Sequence, residues 1–430
     1  MPAIVSNITV PLLGLCDTAI SGHLGSELYL AAIAVGSMML NVVFWLFGFL
    51  RMGTTGLTAT AYGRGDEAEV RRIFTRSLAL GLAIGLTLLA LSYPLLEVLF
   101  AVISPEPEVA ELVKQYFLVC MLEAPSLLAT MAVSGWFVGM QSTVWPMVIA
   151  ISVNVINIAI SFILVFGVGL GFKGVAIGTV SANWIGFAIA LIAAWRFRRG
   201  KGLWCRWRDI FMRNELKRFF TVNVNLFFRS ACIIAVSLGV TAAGSRLGAH
   251  TLAVNAVMMQ FFTFFSFFMD GFSFSAEALI GKSHGRKDLY DTRRYVRALL
   301  LWTTGVAAVF VVFYMFGSGL VTDMLTDEEA VRKSVHEMNM WLWLIPCCSA
   351  WAFIYDGFYI GITETGKMRN ATFAASAAFF LFAFLKISGG HLEIGVSSNH
   401  AVWFAFISYL LLRGVILASM WPKELRKSMA

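Results

Sequence analysis

Hydrophobic residues in this chain come in long blocks, not in the short alternations of a soluble domain. Each block is close to the 20 or so apolar residues that a helix needs to cross a bilayer. The blocks lie near residues 2–20, 29–55, 74–100, 112–139, 146–166, 174–195, 217–243, 251–280, 297–320, 335–361, 369–386 and 399–421. They predict an all-α polytopic membrane protein of twelve transmembrane helices. Composition agrees: 59% of the 430 residues are hydrophobic and 13% are charged, against about 25% charged in ordinary soluble domains. No basic leader with a small-residue cleavage site precedes the first block.

Charge changes the picture by orienting it. Lys114, Lys173, Arg246, Arg332, Lys333 and Lys386 are the loop cations on one side, and Arg51, Arg229 and Arg413 fall within spans. The rest of the 33 Lys and Arg lie on the other side or at the C-terminus. The positive-inside bias therefore predicts cytoplasmic N- and C-termini. It also explains the net charge of +8 without a nucleic-acid partner. The stretch RFRRGKGLWCRWRDIFMRNELKR (196–218) reads as a basic linker whose Trp204 and Trp207 suit an anionic membrane surface. The six cysteines, Cys16, Cys120, Cys205, Cys232, Cys347 and Cys348, show no metal spacing and read as small residues of apolar spans.

The chain repeats itself. In GRGDEAEVRR (63–72) and GRKDLYDTRR (285–294), Gly63, Arg64, Asp66, Arg71 and Arg72 recur as Gly285, Arg286, Asp288, Arg293 and Arg294, each 222 positions on. At the same offset, GWFVG (135–139) recurs as GFYIG (357–361). Two distant segments sharing one offset predict two homologous halves: an N-terminal lobe at 1–196, a linker at 197–216 and a C-terminal lobe at 217–430. Six spans per half is an even number, so both halves enter the membrane in the same sense. The expected arrangement is two six-helix bundles related by a pseudo-two-fold along the membrane normal, able to give alternating access to a site.

Charged residues inside spans are costly and mark function. Asp17, Glu123 and Asp270 are the deepest acids. Arg51, Glu277 and Asp356 lie near span ends, where snorkelling is cheap. In span 5, Asn154, Asn157 and Ser161 follow i, i+3, i+7 and share one helix face; span 6 adds Thr179 and Asn183. Asp17 with Asn154, Asn157, Ser161, Thr179 and Asn183 is the candidate proton-coupling pocket. Its residue types also suit interhelical hydrogen bonding, and its oxygens could hold Na⁺. Burial favours a protonated carboxyl, and Pro2, Pro11 and Gly14 let span 1 bend on neutralisation. Asp270, Glu123, Asp356, Phe267 and Met269 are the substrate-cavity candidates, with an anion among aromatics suiting a lipophilic cation.

"MPAIVSNITVPLLGLCDTAISGHLG", "FWLFGFLRMGTTGLTATAYGRGD", "GWFVGMQ", "DGFSFSAEALIG", "YDGFYIG" and "NHAVWFAFISYLLLRG" resemble the DinF-like branch of the MATE (multidrug and toxic compound extrusion) transporters. The resemblance covers nearly the whole chain. It implies two six-helix bundles in a V shape and export driven by an H⁺ or Na⁺ gradient. It gives the coupling role to Asp17 and the bending role to Pro2. Where the family pattern in span 5 reads N-x-x-x-D, this chain has Asn157 and then Ser161, which weakens the case for tight Na⁺ binding. Met1 stands directly before Pro2, where family members carry further residues, so span 1 is expected to be short at its inner end.

The expectation is therefore a monomeric, inner-membrane antiporter that exports organic, cationic amphiphilic compounds in exchange for protons, with no cofactor and no bound metal. Na⁺ coupling and lipid-linked or anionic cargo are the alternatives. An enzyme is disfavoured because it would need a catalytic pair or metal cluster, and His23, His250, His284, His336, His391 and His400 are scattered and mostly in loops.

Overall fold

The computed structural model describes residues 20, 26–103, 106–200, 202–205, 213–388, 391–396 and 398–429. The expected span 1, with Pro2, Pro11, Gly14 and Asp17, lies outside the described residues. The chain divides into two compact units, Met1–Phe219 and Phe220–Ala430.

The first unit contains α1 (Glu27–Leu46), α2 (Phe49–Gly63), α3 (Glu67–Ala90), α4 (Ser92–Ile103), α5 (Pro107–Cys120), α6 (Ala124–Gly139), α7 (Val144–Phe162) and α8 (Phe172–Phe197). The second contains α9 (Arg213–Leu247, begun within the first unit), α10 (Ala249–Gly285), α11 (Leu289–Leu325), α12 (Glu329–Glu337), α13 (Asn339–Gly361), α14 (Thr365–Phe384) and α15 (Asn399–Met429). Among the described residues nine helical stretches are long and apolar enough to cross a membrane, and α12 with α13 forms a tenth span bent by 55°. α14 supplies the expected span 11, with Lys367 and Arg369 in its first turns.

Hydropathy locates the membrane-buried part of a helix, whereas caps set its ends. α11 has 37 residues, about 55 Å at 1.5 Å per residue, against about 30 Å of hydrocarbon. It starts at Leu289 because the Asp288 carboxylate accepts the Asp291 N–H at 2.9 Å, so the polar segment YDTRRYVR stays helical. Along α11, Trp302, Val309 and Phe316 are 69%, 67% and 84% exposed. They form a lipid-facing stripe, while Thr303, Phe310 and Tyr314 pack inward. Among the described residues, the chain forms strands at one place. Leu385–Ser388 and His391–Ile394 pair antiparallel with Leu385 opposite Ile394, at a Gly-Gly sequence suited to a two-residue hairpin.

The repeat is visible in backbone detail. Gly65 and Lys287 both have positive φ, 75° and 55°, as do Gln141 and Thr363, 65° and 60°. Each is the left-handed residue that ends a helix. The Gly65 N–H bonds Tyr62 O and the Asp66 N–H bonds Ala61 O; Lys287 and Asp288 do the same to His284 and Ser283. Asp66 then caps α3 through the Glu69 N–H at 2.8 Å, as Asp288 caps α11. The paired glycines mark equivalent helix crossings. A Cβ on Gly135 would lie 2.2 Å from Arg51 O, and one on Gly357 would lie 2.7 Å from Ser273 O. Arg51 and Ser273 are themselves 222 apart. Between the glycines, Trp136 packs on Phe74 at 5.1 Å, and its counterpart Phe358 packs on Trp421 at 5.2 Å.

The linker region packs against the first unit. Arg198 pairs with Glu67, Trp204 meets Phe74 edge-on at 5.6 Å, and Glu215 lies 3.2 Å from both Arg72 and Arg76.

Candidate functional site

Span 4 is interrupted where its acid sits. Pro125 has no N–H to give the carbonyl of Met121, so the chain tightens into a 3₁₀ turn over Met121–Glu123. There the Ala124 N–H takes that carbonyl instead. The Ser126 hydroxyl donates to Glu123 O at 2.9 Å, and Trp184 Nε1 donates to Leu122 O at 3.1 Å. The turn is thus tied to α8 and presents Glu123, 5% exposed, to the interior of the unit.

α7 and α8 run antiparallel against each other. Gly178 makes the close approach possible: a Cβ there would sit 2.2 Å from Ser161 Oγ. Ser161 is consequently fully buried and Asn157 nearly so. After Ser161 the helix widens into a π turn over Ile163–Gly167, a feature common near functional positions.

These elements bring together a chain of polar side chains. Ser161 Oγ donates to Asn157 Oδ1 at 3.3 Å. Asn157 Nδ2 donates to Thr179 Oγ1 at 3.1 Å, and Thr179 Oγ1 donates to Val175 O at 3.1 Å. One turn on, Asn183 Nδ2 donates both to Thr179 O at 3.1 Å and to Glu123 Oε2 at 2.7 Å. Four of the residues expected in the coupling pocket therefore stand in one network, and Glu123, expected in the substrate cavity, ends it. Asn154 is half-buried on α7. Asp17 lies outside the described residues.

In the second unit the acids behave differently. Asp356 on α13 is buried and forms an ion pair with Arg229 of α9. It also pairs with Arg413 of α15, Nη2 to Oδ2 3.4 Å. Arg413 Nη1 donates to Tyr409 Oη at 3.0 Å, and its guanidinium stacks 5.5 Å from the Phe353 ring centre and 5.6 Å from Tyr409. Asp270 is within electrostatic reach of Arg413. Met269 is fully buried in the apolar core of this unit, whereas Phe267 and Asp270 are half-buried. The Arg229–Asp356–Arg413 cluster spans three helices and was not foreseen as a unit. Its signal in the sequence is the balance of sign: two in-span arginines and in-span acids within one half.

A repeated pair of helical units, each with membrane-length helices and buried ionisable groups, is the architecture of a polytopic membrane protein. The chain belongs to the MatE family, whose profile matches residues 2–163 and 226–385. The two matched stretches end 222 positions apart, at the offset of the internal repeat. The chain is 32% identical over 426 residues to DNA damage-inducible protein F of Escherichia coli strain K12, covering 99% of this chain and 91% of that protein. It is 24% identical over 351 residues to the probable multidrug resistance protein NorM of Thermotoga maritima, covering 78% and 72%. A MATE structure in a bent conformation matches with a TM-score of 0.86 at 16% identity, covering 100% of this chain and 95% of that one. A transporter of the MOP superfamily from Pyrococcus furiosus matches at 0.82 and 16%, covering 100% and 95%. The likeness establishes the fold of those transporters, twelve helices in two lobes.

Proposed function

We propose that the protein is a proton-driven exporter of organic, cationic amphiphilic compounds, acting as a monomer in the inner membrane with both termini cytoplasmic. The observation that carries this reading is the buried chain from Ser161 through Asn157, Thr179 and Asn183 to Glu123. Glu123, 5% exposed, accepts from Asn183 at its end, so the network holds a carboxyl away from bulk water. Asp17, in the first span, is the primary proton site on this reading. Its protonation from outside bends span 1 at Pro2, Pro11 and Gly14, and the first lobe expels its cargo. Relatives named as multidrug resistance proteins support a broad organic cargo. An anionic cargo has less support: Arg229, the deep cation that would favour it, is paired with Asp356.

The test is wild-type transport of tetraphenylphosphonium in proteoliposomes under an imposed pH gradient or an imposed Na⁺ gradient. Uptake driven by the pH gradient alone is expected. Transport that requires Na⁺ and ignores the pH gradient contradicts the reading.

A further inference from the structure

We propose that Glu123 is a second proton-holding carboxylate of the first unit, and that Asn183 relays its protonation state to the Thr179–Asn157–Ser161 chain. The role of Glu123 as a proton holder stands on its own geometry; its consequence for transport rests on the proton-driven reading above.

The hydrogen-bond directions make the relay specific. The Asn183 amide spends both N–H bonds on acceptors, the Thr179 carbonyl and the Glu123 carboxylate. A proton arriving from water bonds to a carboxylate oxygen of Glu123, and the resulting O–H becomes a donor. If that hydroxyl forms where the amide donates, two donors face each other. Asn183 then rotates to present Oδ1, and its bond to Thr179 O breaks. Thr179 is the residue whose hydroxyl accepts from Asn157, which in turn accepts from Ser161. Loss of the proton reverses each step. The charge on Glu123 is thereby read one helical turn away, in the pocket of the coupling residues.

The described helices packed against the Glu123 turn place their other charged side chains mostly toward their ends. Of the described helices packed against its turn, α6 carries no charged side chain. α3 carries Glu67, Glu69, Arg71, Arg72 and Arg76 in its first three turns, and Arg76 is paired with Glu69 and Glu215. α5 carries Glu108, Glu111, Lys114 and Tyr116; Lys114 lies over the Tyr93 ring, and the Tyr116 hydroxyl is shared with Ser37. α8 carries Lys173 and Arg196, about 15 and 20 Å along the helix from Asn183 at 1.5 Å per residue.

Infrared difference spectra between high and low pH, recorded on the full chain in lipid nanodiscs, test the proposal without a cargo. The carboxylic C=O band of a buried protonated carboxyl is expected in wild type. It should lose intensity in Glu123→Gln and shift in frequency in Asn183→Leu, which removes the partner and keeps the acid. A Glu123→Gln spectrum identical to wild type overturns the proposal. If that variant does not fold, an unshifted band in Asn183→Leu overturns it instead. Asp17→Asn separates the two readings. Full pH-driven tetraphenylphosphonium export by Asp17→Asn, with the Glu123 band behaving as described, defeats the transport scheme and leaves Glu123 as a proton holder.

Discussion

The two units share a backbone plan and differ in what they do with buried polarity. Among the described residues, the first places Glu123 at the end of a chain of amides and hydroxyls, Asn183, Thr179, Asn157 and Ser161. The second clamps a carboxylate between two guanidiniums, Arg229 and Arg413 on Asp356. Among the described residues, Glu123 accepts from a neutral amide, that of Asn183. The other carboxylate, Asp356, is part of an ion cluster that ties three helices together. Duplication therefore copied the helix ends and crossings, while the interiors diverged into a hydrogen-bonded polar chain and an ion cluster.

The comparison breaks first at Asp356. Asp356→Ala leaves Arg229 and Arg413 buried without their shared counter-charge, and losing one partner of a buried pair costs about 3–5 kcal/mol. Thermal unfolding in detergent should show a large loss of stability, whereas Glu123→Gln, which is isosteric and adds no unpaired charge, should unfold close to wild type. Equal losses in the two variants would erase the distinction between the units.

A smaller effect sharpens the shared part. Gly135→Ala forces a methyl toward the Arg51 carbonyl and Gly357→Ala forces one toward the Ser273 carbonyl, at 2.2 and 2.7 Å if nothing moves. Overpacking costs about 1–3 kcal/mol, so both variants should melt lower, Gly135→Ala more so. The reverse order would mean that the two crossings yield differently from their geometry. The smallest effect is at the caps. Asp66→Ala and Asp288→Ala each remove one bond to a helix N–H, worth about 1 kcal/mol. Near-equal shifts in unfolding midpoint are expected, because the two turns are copies.

The sequence made the membrane class and the repeat legible because both rest on local signals. Block hydrophobicity reports burial in lipid residue by residue, and GRGD, GRKD, GWFVG and GFYIG mark turns and crossings that tolerate few alternatives. The i, i+3, i+7 spacing also put Asn157 and Ser161 on the face where they are found together. The link to Glu123 was not legible, since it depends on how the Pro125 break aims one side chain at a neighbouring helix. The clamp on Asp356 joins residues 127 and 57 positions apart, and only packing reveals which face meets which. The Leu385–Ile394 hairpin escaped notice because a short strand pair beside an apolar run leaves no periodicity of its own.

The central claim is that an acid in the first unit couples a proton to export. It is tested most directly by tetraphenylphosphonium efflux from right-side-out vesicles under an imposed, outside-acid pH gradient in Na⁺-free buffer, comparing wild type with Asp17→Asn at equal, folded expression. The account predicts robust efflux by wild type and loss of the gradient-driven component in Asp17→Asn. Undiminished gradient-driven efflux by Asp17→Asn would contradict it.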